Sequence, residues 1–521
     1  MFKRNNNLQI LVMVKIRYSI LLTGLVWLVF FPYKISGQET NALNEKFIHE
    51  VDSIVNLVQS KWNAPGIAIG IVKDGEVLYK KGYGYKDLQK KEPVTSNTLF
   101  SIASSTKAFT STGIGSLVEE GKLSWYKPVR SYFPIFQLSD TMANNNSTLI
   151  DILSHRTGLA GHDVMQIAIA KQYDRREIVK RLRILEFSKP FRTKFIYQNQ
   201  MYQAATVITE EISGMKWEDF IRQRLFEPLN MNSTIFAGPE LIQHKDKVAT
   251  RYTFTPEGEI IPATPINSFM EEVSGSGSIY SNVDDLCNWI IFNLNRGKYN
   301  GNIIISEEIM DMIQKPQTII QGVLLPELLM HSYTVGWNSM VYKGHFMLNR
   351  PGGYIGIASN IAFFPLDNIG IVVLGNLQST TAHMILSFEI IDRMLTLDST
   401  PWFEKLWPLE EYSKQQFIKQ LKPSKKEGEV IKPSKSLVDY AGEYQNDAYG
   451  NIIVKYENDK LSIDYINNSE LHHYDQDIFE AYQLYKFYKF EFSKDLEGKI
   501  LALKCPFEPA TSDIVFKKVF E

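Results

Sequence analysis

A serine and a lysine, Ser104 and Lys107, stand three residues apart at the start of a predicted helix. Residues at positions i and i+3 lie on the same helical face, so the lysine amine can reach the serine hydroxyl. A free serine hydroxyl is a poor nucleophile and needs a neighbouring base. Lys107 can be that base if burial and the positive end of the helix lower the pKa of its amine. The pair therefore predicts a serine nucleophile that attacks carbonyl groups.

The same serine–lysine spacing occurs at two other places, Ser124 with Lys127 and Ser213 with Lys216. Both of these pairs lie beside glycines at predicted helix ends, which is typical of surface loops. Only the first pair precedes a long run typical of a helix, residues 108–120, whose apolar side chains can face a core. Spacing alone also fits an N-cap serine with a solvated lysine. The neighbouring motifs therefore have to decide between a nucleophilic serine and a capping serine.

A tyrosine and an asparagine, Tyr197 and Asn199, form the second motif. A phenol has a pKa of about 10 and normally stays protonated. A nearby ammonium group lowers that pKa and makes the tyrosine a usable proton acceptor and donor. The asparagine amide supplies one acceptor and two donors that can hold an amide substrate or the lysine. A buried tyrosine beside a loop asparagine would give the same pattern, so this motif alone leaves its role open.

Two consecutive glycines, Gly352 and Gly353, follow Arg350 just ahead of a predicted strand. Glycines allow a backbone to approach a ligand closely. A backbone N–H of this motif, together with that of Ser104, can form an oxyanion hole. An ordinary glycine turn between two strands is the alternative interpretation.

Strands at both ends of the first 400 residues are expected to position these groups. A hairpin is predicted over residues 66–79, because Asp74-Gly75 between two apolar runs is a strong turn pattern. Residues 100–310 favour helices with long loops. Strand patterns return at residues 333–340, 358–364 and 369–374. A sheet built from both ends with a helical insert predicts an α/β or α+β fold.

The pattern changes to short alternating strands beyond residues 421–436, a stretch rich in Lys, Pro, Ser and Glu. Such strands predict a small, separate all-β domain, either a barrel or a sandwich. We therefore expect four segments. They are a signal peptide at 1–37, the main α/β domain at 45–400, a linker at 401–436 and the small β domain at 437–521.

The N-terminus and the composition restrict location and partners. Basic residues followed by an apolar run at residues 20–31 predict a cleaved signal peptide, and hence a periplasmic or secreted protein. An uncleaved signal anchor is the alternative. A net charge of −2 over 521 residues does not favour a nucleic-acid surface. Cys287 and Cys505 fall in different predicted domains, so no disulfide is expected. The pattern contains no zinc-ligand cluster, and we expect neither a metal nor an organic cofactor.

Taken in order, the motifs resemble the β-lactamase/penicillin-binding-protein superfamily, in the branch near class C β-lactamases, D-amino-acid peptidases and related esterases. The resemblance covers about residues 45–400 and implies a β-lactamase/transpeptidase-like antiparallel sheet flanked by helices, with a helical insert. Further stretches that match the family in order are residues 64–66 with 73–75, 153–159, and 274–277 with 284–286.

The resemblance also implies a role for each motif residue. Ser104 would be the acylated nucleophile and Lys107 its partner. Tyr197 would relay protons, Asn199 would bind the substrate, and Gly353 would give the second oxyanion N–H.

Arg350 departs from the family pattern, in which a Lys or His usually stands two residues before the first glycine. An arginine keeps its positive charge and can bind a carboxylate bidentately, but it cannot exchange protons as a histidine does. We therefore expect Arg350, with Gly352 and Gly353, to bind substrate, while a proton-transfer role at this position stays open.

Residues 440–444 and 471–480 resemble the lipocalin-like β domain that many family members carry at the C-terminus. The whole pattern predicts an exported serine hydrolase that acts on amide, β-lactam or ester bonds of small molecules or peptides. A non-catalytic penicillin-binding or sensor-like protein that keeps the fold is the alternative. The β domain could also bind a partner or shape substrate access within an oligomer.

Overall fold

The computed structural model describes residues 37–170, 172–263, 274–322 and 325–520. The described residues from His49 onward form one compact unit, and the elements that position the site belong to it. The expected signal peptide at 1–37 lies outside the described residues, except for its last residue. No described helix is both long enough and apolar enough to cross a membrane.

Strands from both ends of the main domain build one sheet. In the described part of the chain, nine strands pair antiparallel in the order β11-β12-β13-β14-β15-β16-β1-β2-β3. The strands of this part are β1 (Gly66–Lys73), β2 (Glu76–Asp87), β3 (Glu92–Pro93), β4 (Phe100–Ser101), β5 (Ile235–Phe236), β6 (Tyr252–Phe254), β7 (Ile260–Pro262), β8 (Ile279–Ser281), β9 (Lys298–Tyr299), β10 (Asn302–Ile303), β11 (Thr318–Ile319), β12 (Leu328–Tyr333), β13 (Asn338–Tyr342), β14 (His345–Tyr354), β15 (Ile357–Phe364) and β16 (Ile369–Gly375). Because β1 pairs along its length with β16, the expected α/β architecture is confirmed.

Helices fill the expected insert between the two halves of this sheet. The described helices are α1 (Gly37–Trp62), α2 (Thr106–Glu119), α3 (Thr141–Asn146), α4 (Leu149–Leu153), α5 (Asp163–Ile169), α6 (Arg175–Lys180), α7 (Asn199–Ser213), α8 (Trp217–Ile221), α9 (Pro239–Gln243), α10 (Ser274–Gly277), α11 (Val283–Leu294), α12 (Glu307–Gln314), α13 (Ala382–Met394), α14 (Trp402–Gln420) and α15 (Leu437–Tyr440).

Helix α2 lies in the core and carries Lys107. Its residues are buried from Thr106 to Leu117. The ring of Phe109 stacks on that of Trp289 in α11, with centroids 4.0 Å apart. Close packing of this kind leaves a helix little freedom to move, so the backbone beside the candidate nucleophile is rigid.

The C-terminal region is all β, as expected. Its described strands pair antiparallel in the order β20-β19-β18-β17-β25-β24-β23-β22-β21. They are β17 (Gly442–Asn446), β18 (Gly450–Glu457), β19 (Lys460–Asp464), β20 (Asn468–Glu470), β21 (His472–Asp475), β22 (Ile478–Gln483), β23 (Lys486–Lys494), β24 (Ile500–Cys505) and β25 (Ile514–Lys518). Aromatic side chains such as Tyr444, Phe490 and Phe516 are fully buried in this barrel-like region.

One local expectation is wrong. The single strand expected at 333–340 is split, because the chain turns between β12 and β13, where Gly336 adopts a φ of 102°. The two glycines lie inside β14 and just ahead of β15, as expected, and the alternative of an ordinary glycine turn does not hold.

The linker expected at 401–436 is also partly wrong, since its first half is helix α14. Trp402 and Leu406 are buried one helical turn apart. The ring of Trp402 packs against that of Phe388 in α13, with centroids 4.8 Å apart. This apolar face ties α14 to the main domain, and only the stretch from Leu421 to Ser436 lacks a helix or strand. The outer domain boundaries stay predictions.

Candidate active site

Ser104 lies in a 3₁₀ turn, Ala103–Ser105, that leads directly into α2. Ala103 has a φ of 44°, a left-handed conformation that residues with a Cβ adopt rarely and that is common at functional sites. The expected helix start is therefore a tight turn, and the chain bends sharply just before the serine.

Lys107 is fully buried, with an exposed fraction of 0%. Its Nζ donates to Ser104 Oγ at 3.1 Å, to Asn199 Oδ1 at 2.7 Å and to the carbonyl oxygen of Ser276 at 2.8 Å. Loss of water around the amine lowers the pKa of Lys107 to about 8, with the charge of Arg350 adding to the effect and Tyr197 opposing it. About one tenth of such an amine is neutral at pH 7, so it can exchange protons near neutral pH.

Tyr197 contacts the same serine from the other side. Its hydroxyl donates to Ser104 Oγ at 2.8 Å. Burial by itself raises the pKa of Tyr197, but the positive charges of Arg350 and Lys107 outweigh burial and lower that pKa below its ordinary value of 10.0. A phenol with a lowered pKa can take the proton of the serine hydroxyl.

Arg350 is 3% exposed and donates to protein acceptors. Its Nε donates to the carbonyl oxygen of Ser104 and its Nη2 to the hydroxyl of Tyr197, each at 2.8 Å. The guanidinium also lies 5.3 Å from the ring centroid of Tyr333. These contacts hold the serine turn and the tyrosine together, and binding of a substrate carboxylate by Arg350 stays a prediction.

Asn199 begins α7 and links Lys107 to a residue that the sequence did not single out. Its Oδ1 accepts from Lys107, and its Nδ2 donates to Asp163 Oδ1 at 2.9 Å. Loss of water around the Asp163 carboxyl raises the pKa of that group, and the contacts with Asn199 and Lys107 offset this rise in part. Asp163 lies four residues beyond the matched stretch that ends at Leu159. This closeness in sequence is the one feature that could have indicated Asp163 as a site residue.

The two glycines lie where β14 loses its neighbour on one side. The pairing of β13 with β14 ends at Asn349. Beyond that residue, the edge of β14 contacts the turn that carries Ser104. A Cβ on Gly352 would lie 2.1 Å from the carbonyl oxygen of Ile102, whereas a Cβ on Gly353 would meet nothing within 4 Å. Gly352 therefore allows close packing behind Ser104, and Gly353 opens onto the cleft.

Two cavities meet at Ser104, and Tyr197 and Gly353 line both. We call the cavity of about 340 Å³ the Asp163 arm; its other lining residues are Ala103, Gln166, Ile167, Asn199, Ser276, Gly277, Tyr354, Leu484 and Tyr485. We call the cavity of about 440 Å³ the Arg350 arm; its lining includes Phe195, His331, Thr380 and His383. Leu484 and Tyr485 form the hairpin tip between β22 and β23, so the C-terminal β region reaches the candidate site. The hydroxyl of Tyr485 is hydrogen-bonded to that of Tyr354.

A buried histidine supports Tyr197 from behind. His155 has an exposed fraction of 0% and its ring lies 4.5 Å from that of Tyr197 between centroids. The backbone N–H of Gln198 donates to His155 Nδ1 at 3.1 Å. Burial, helped by the charges of Arg350 and Lys107, holds the pKa of His155 well below its usual value. The neutral ring therefore packs against Tyr197 without adding charge.

An ion-pair network joins the two ends of the segment that precedes Tyr197, residues 156–192. Asp151 Oδ1 accepts from Arg156 Nε at 2.6 Å and from Arg192 Nε at 2.8 Å. Thr148 donates its backbone N–H and its hydroxyl to Asp151 Oδ2. One buried carboxylate therefore joins Arg156 to Arg192, the two ends of the segment that precedes Tyr197.

The structure brings Ser104, Lys107, Tyr197, Asn199 and Arg350 into one hydrogen-bonded cluster, with Gly352 and Gly353 beside it. Within the described ranges, no group of three His, Cys, Asp or Glu side chains could hold a metal ion.

Comparison with known proteins gives two family matches. The model described as Beta-lactamase matches residues 54–391, and a domain of unknown function, DUF3471, matches residues 424–518. The first match spans more than half of the chain and contains the whole hydrogen-bonded cluster.

Named relatives include hydrolases. "Unguisins hydrolase ungD" of Aspergillus violaceofuscus (strain CBS 115571) is 28% identical over 443 residues, covering 79% of this chain and 76% of that protein. "Unguisins hydrolase ungD'" of Aspergillus campestris (strain IBT 28561) is 30% identical, covering 68% of this chain and 67% of that protein. Among solved structures, the octameric penicillin-binding protein homologue from Pyrococcus abyssi matches with a TM-score of 0.60 at 22% identity, covering 90% of this chain and 100% of that one.

Proposed function

This chain belongs to the Beta-lactamase family, and we propose that it is a serine hydrolase in which Ser104 forms an acyl-enzyme. One observation carries the proposal. Ser104 Oγ lies 3.1 Å from Lys107 Nζ and 2.8 Å from the hydroxyl of Tyr197. A serine hydroxyl with two titratable partners at hydrogen-bond distance has what nucleophilic catalysis needs.

Acylation begins when Tyr197, in its phenolate form, takes the hydroxyl proton of Ser104. The serine oxygen bonds to the carbonyl carbon, whose oxygen becomes negatively charged. The backbone N–H groups of Ser104 and Gly353 stabilise that oxyanion. Tyr197 then returns the proton to the leaving group as its bond to the carbonyl carbon breaks, and the acyl group stays on Ser104.

Deacylation repeats the sequence with water as the nucleophile. Tyr197 takes a proton from the water, the hydroxyl adds to the acyl carbon, and the proton passes to Ser104 as the acid leaves. Lys107 and Arg350 stabilise the phenolate in both halves, because positive charges next to a phenol favour its ionised form.

The substrate class is an amide, a β-lactam or an ester of a small molecule or peptide. The relatives named as hydrolases support turnover over mere binding. Arg350, which replaces the expected Lys or His, supports the alternative of a non-catalytic penicillin-binding or sensor-like protein. Its contact with Tyr197 keeps a positive charge beside the phenol, and this favours the enzyme.

The test is the intact mass of the mature protein after mixing with a penicillin, a D-Ala-D-Ala peptide or an activated ester, together with product analysis. Ser104→Ala removes the nucleophile, and Ser124→Ala is the matched control, because Ser124 has the same spacing to a lysine elsewhere in the chain. We expect turnover of at least one donor by the native protein and by Ser124→Ala, and neither an adduct nor turnover with Ser104→Ala.

Failure of all three donors would overturn the proposal and favour the binding protein. An adduct that forms on Ser104 without product release would also favour that alternative. The donor that reacts identifies the substrate class.

We further propose that residues 1–37 are a signal peptide and that the mature protein is periplasmic or secreted. N-terminal sequencing of the exported protein tests this, and a start at residue 1 would contradict it. Light scattering of the mature protein tests whether it is an oligomer.

A further inference from the structure

The Asp163 arm of the cleft has one charged side chain among its described lining residues, and that side chain is Asp163. Asp163 is exposed to this cavity. One of its carboxylate oxygens accepts from Asn199, which in turn accepts from Lys107. Two hydrogen bonds therefore connect a carboxylate that substrate can reach to the lysine beside the nucleophile.

The rest of this arm suits a positively charged group. Tyr354 and Tyr485 form one wall, with Ile167 and Leu484 beside them. Aromatic rings attract cations, and an ammonium group gains most where a carboxylate and aromatic surface meet.

The Arg350 arm differs in charge. Its described lining holds Arg350, His331 and His383 and no acidic side chain. A substrate that straddles Ser104 thus meets a carboxylate on one side and a guanidinium on the other. A cationic substituent is therefore directed to the Asp163 arm.

We propose that Asp163 is a specificity-determining residue that binds an ammonium group of the substrate next to the scissile carbonyl. The inference rests on the proposed function, because it takes this cleft to be the substrate site. The simpler role for Asp163 is to orient Asn199. Asp163→Asn separates the two roles, since an asparagine oxygen can still accept from Asn199 while the negative charge is gone.

The experiment measures binding to Ser104→Ala, so it does not depend on turnover. Ligand-observed NMR titrations compare alanine anilide, which has a free ammonium group, with its N-acetyl form. We expect the free amine to bind about tenfold more tightly, as a hydrogen bond to a charged group allows. The preference should vanish in Ser104→Ala/Asp163→Asn and persist in Ser104→Ala/Asp174→Asn, whose changed aspartate caps α6 outside the cleft.

A second ligand pair shows which part of the substrate carries the charge. Acetylthiocholine carries its cation in the leaving group, and 3,3-dimethylbutyl thioacetate is its neutral isostere. If only the thioester pair shows an Asp163-dependent preference for the cation, the Asp163 arm holds the leaving group. If only the anilide pair shows it, the Asp163 arm holds the acyl group.

Equal binding within both pairs, or a preference that survives Asp163→Asn, would overturn the inference. Ser104 acylation together with such a result would leave the proposed function intact. An ammonium preference without acylation by any donor would instead refute the proposed function and keep only the assignment of Asp163 as an ammonium-binding residue.

Discussion

Replacing Arg350 with glutamine should raise the pH that the enzyme needs for acylation. Arg350 donates to the Tyr197 hydroxyl at 2.8 Å, and its charge lowers the pKa of Tyr197 and of Lys107. A glutamine amide can still donate to an oxygen but carries no charge. Both pKa values should therefore rise in Arg350→Gln.

The size of the effect follows from the buried geometry. An opposite charge within about 4–6 Å shifts a pKa by about 1–3 pH units, and each unit corresponds to about 1.4 kcal/mol. Below its pKa, the phenolate fraction of Tyr197 falls about tenfold for each unit of rise. We expect kcat/KM at pH 7 to fall by about 10- to 1000-fold, and the acidic limb of its pH profile to move up by about 1–3 pH units.

The assay is the pH dependence of acylation by an activated ester, with Arg350→Lys as the control that keeps a positive charge. Arg350→Lys should show a smaller shift of the acidic limb, and thermal melting should show that both variants are folded. A rate that falls in Arg350→Gln with an unshifted profile would refute the electrostatic argument. The arginine would then act through the position of the Ser104 turn alone.

Two further substitutions test the supporting structure. Burial by itself raises the pKa of Asp151, but contacts with arginines and Thr148 outweigh burial and hold that pKa below its ordinary value. The ionised carboxylate therefore stabilises the fold above about pH 4, and this stabilisation is lost as the pH falls through the folded-state pKa. Asp151→Asn should lower the free energy of unfolding at pH 7 by about 1–3 kcal/mol and reduce its decline at acid pH. Urea titrations at several pH values measure both effects, and unchanged titrations would contradict this account. Gly352→Ala should lower the free energy of unfolding by about 1–3 kcal/mol, because the added Cβ would meet the carbonyl of Ile102. Gly353→Ala is the control and should keep the native melting temperature. Equal melting temperatures for the two variants would argue against a close approach at Gly352.

The serine–lysine pair could be predicted from sequence because its geometry is local. A spacing of three residues at a helix start places Lys107 within reach of Ser104, and the surrounding fold decides whether its amine is buried there. Hydrophobic patterning also predicted the sheet from both chain ends and the C-terminal β region, since alternating burial determines which segments can pair. The helix α14 was missed because polar side chains mask a short apolar face when the linker composition is considered alone.

Contacts between residues far apart in the chain were decided by the tertiary structure. Tyr197 reaches Ser104 across 93 positions, and Arg350 reaches Tyr197 across 153, distances over which sequence spacing carries no geometric information. Arg350 donates to the tyrosine because β14 ends its pairing with β13 just before it and packs against the serine turn, and its binding of substrate stays a prediction. Asp163 and Tyr485 enter the cleft only through the packing of α5 and the β22–β23 hairpin around it. The sequence by itself determined which residue types could do the chemistry, and the packing of distant segments decided their partners, charges and access to substrate.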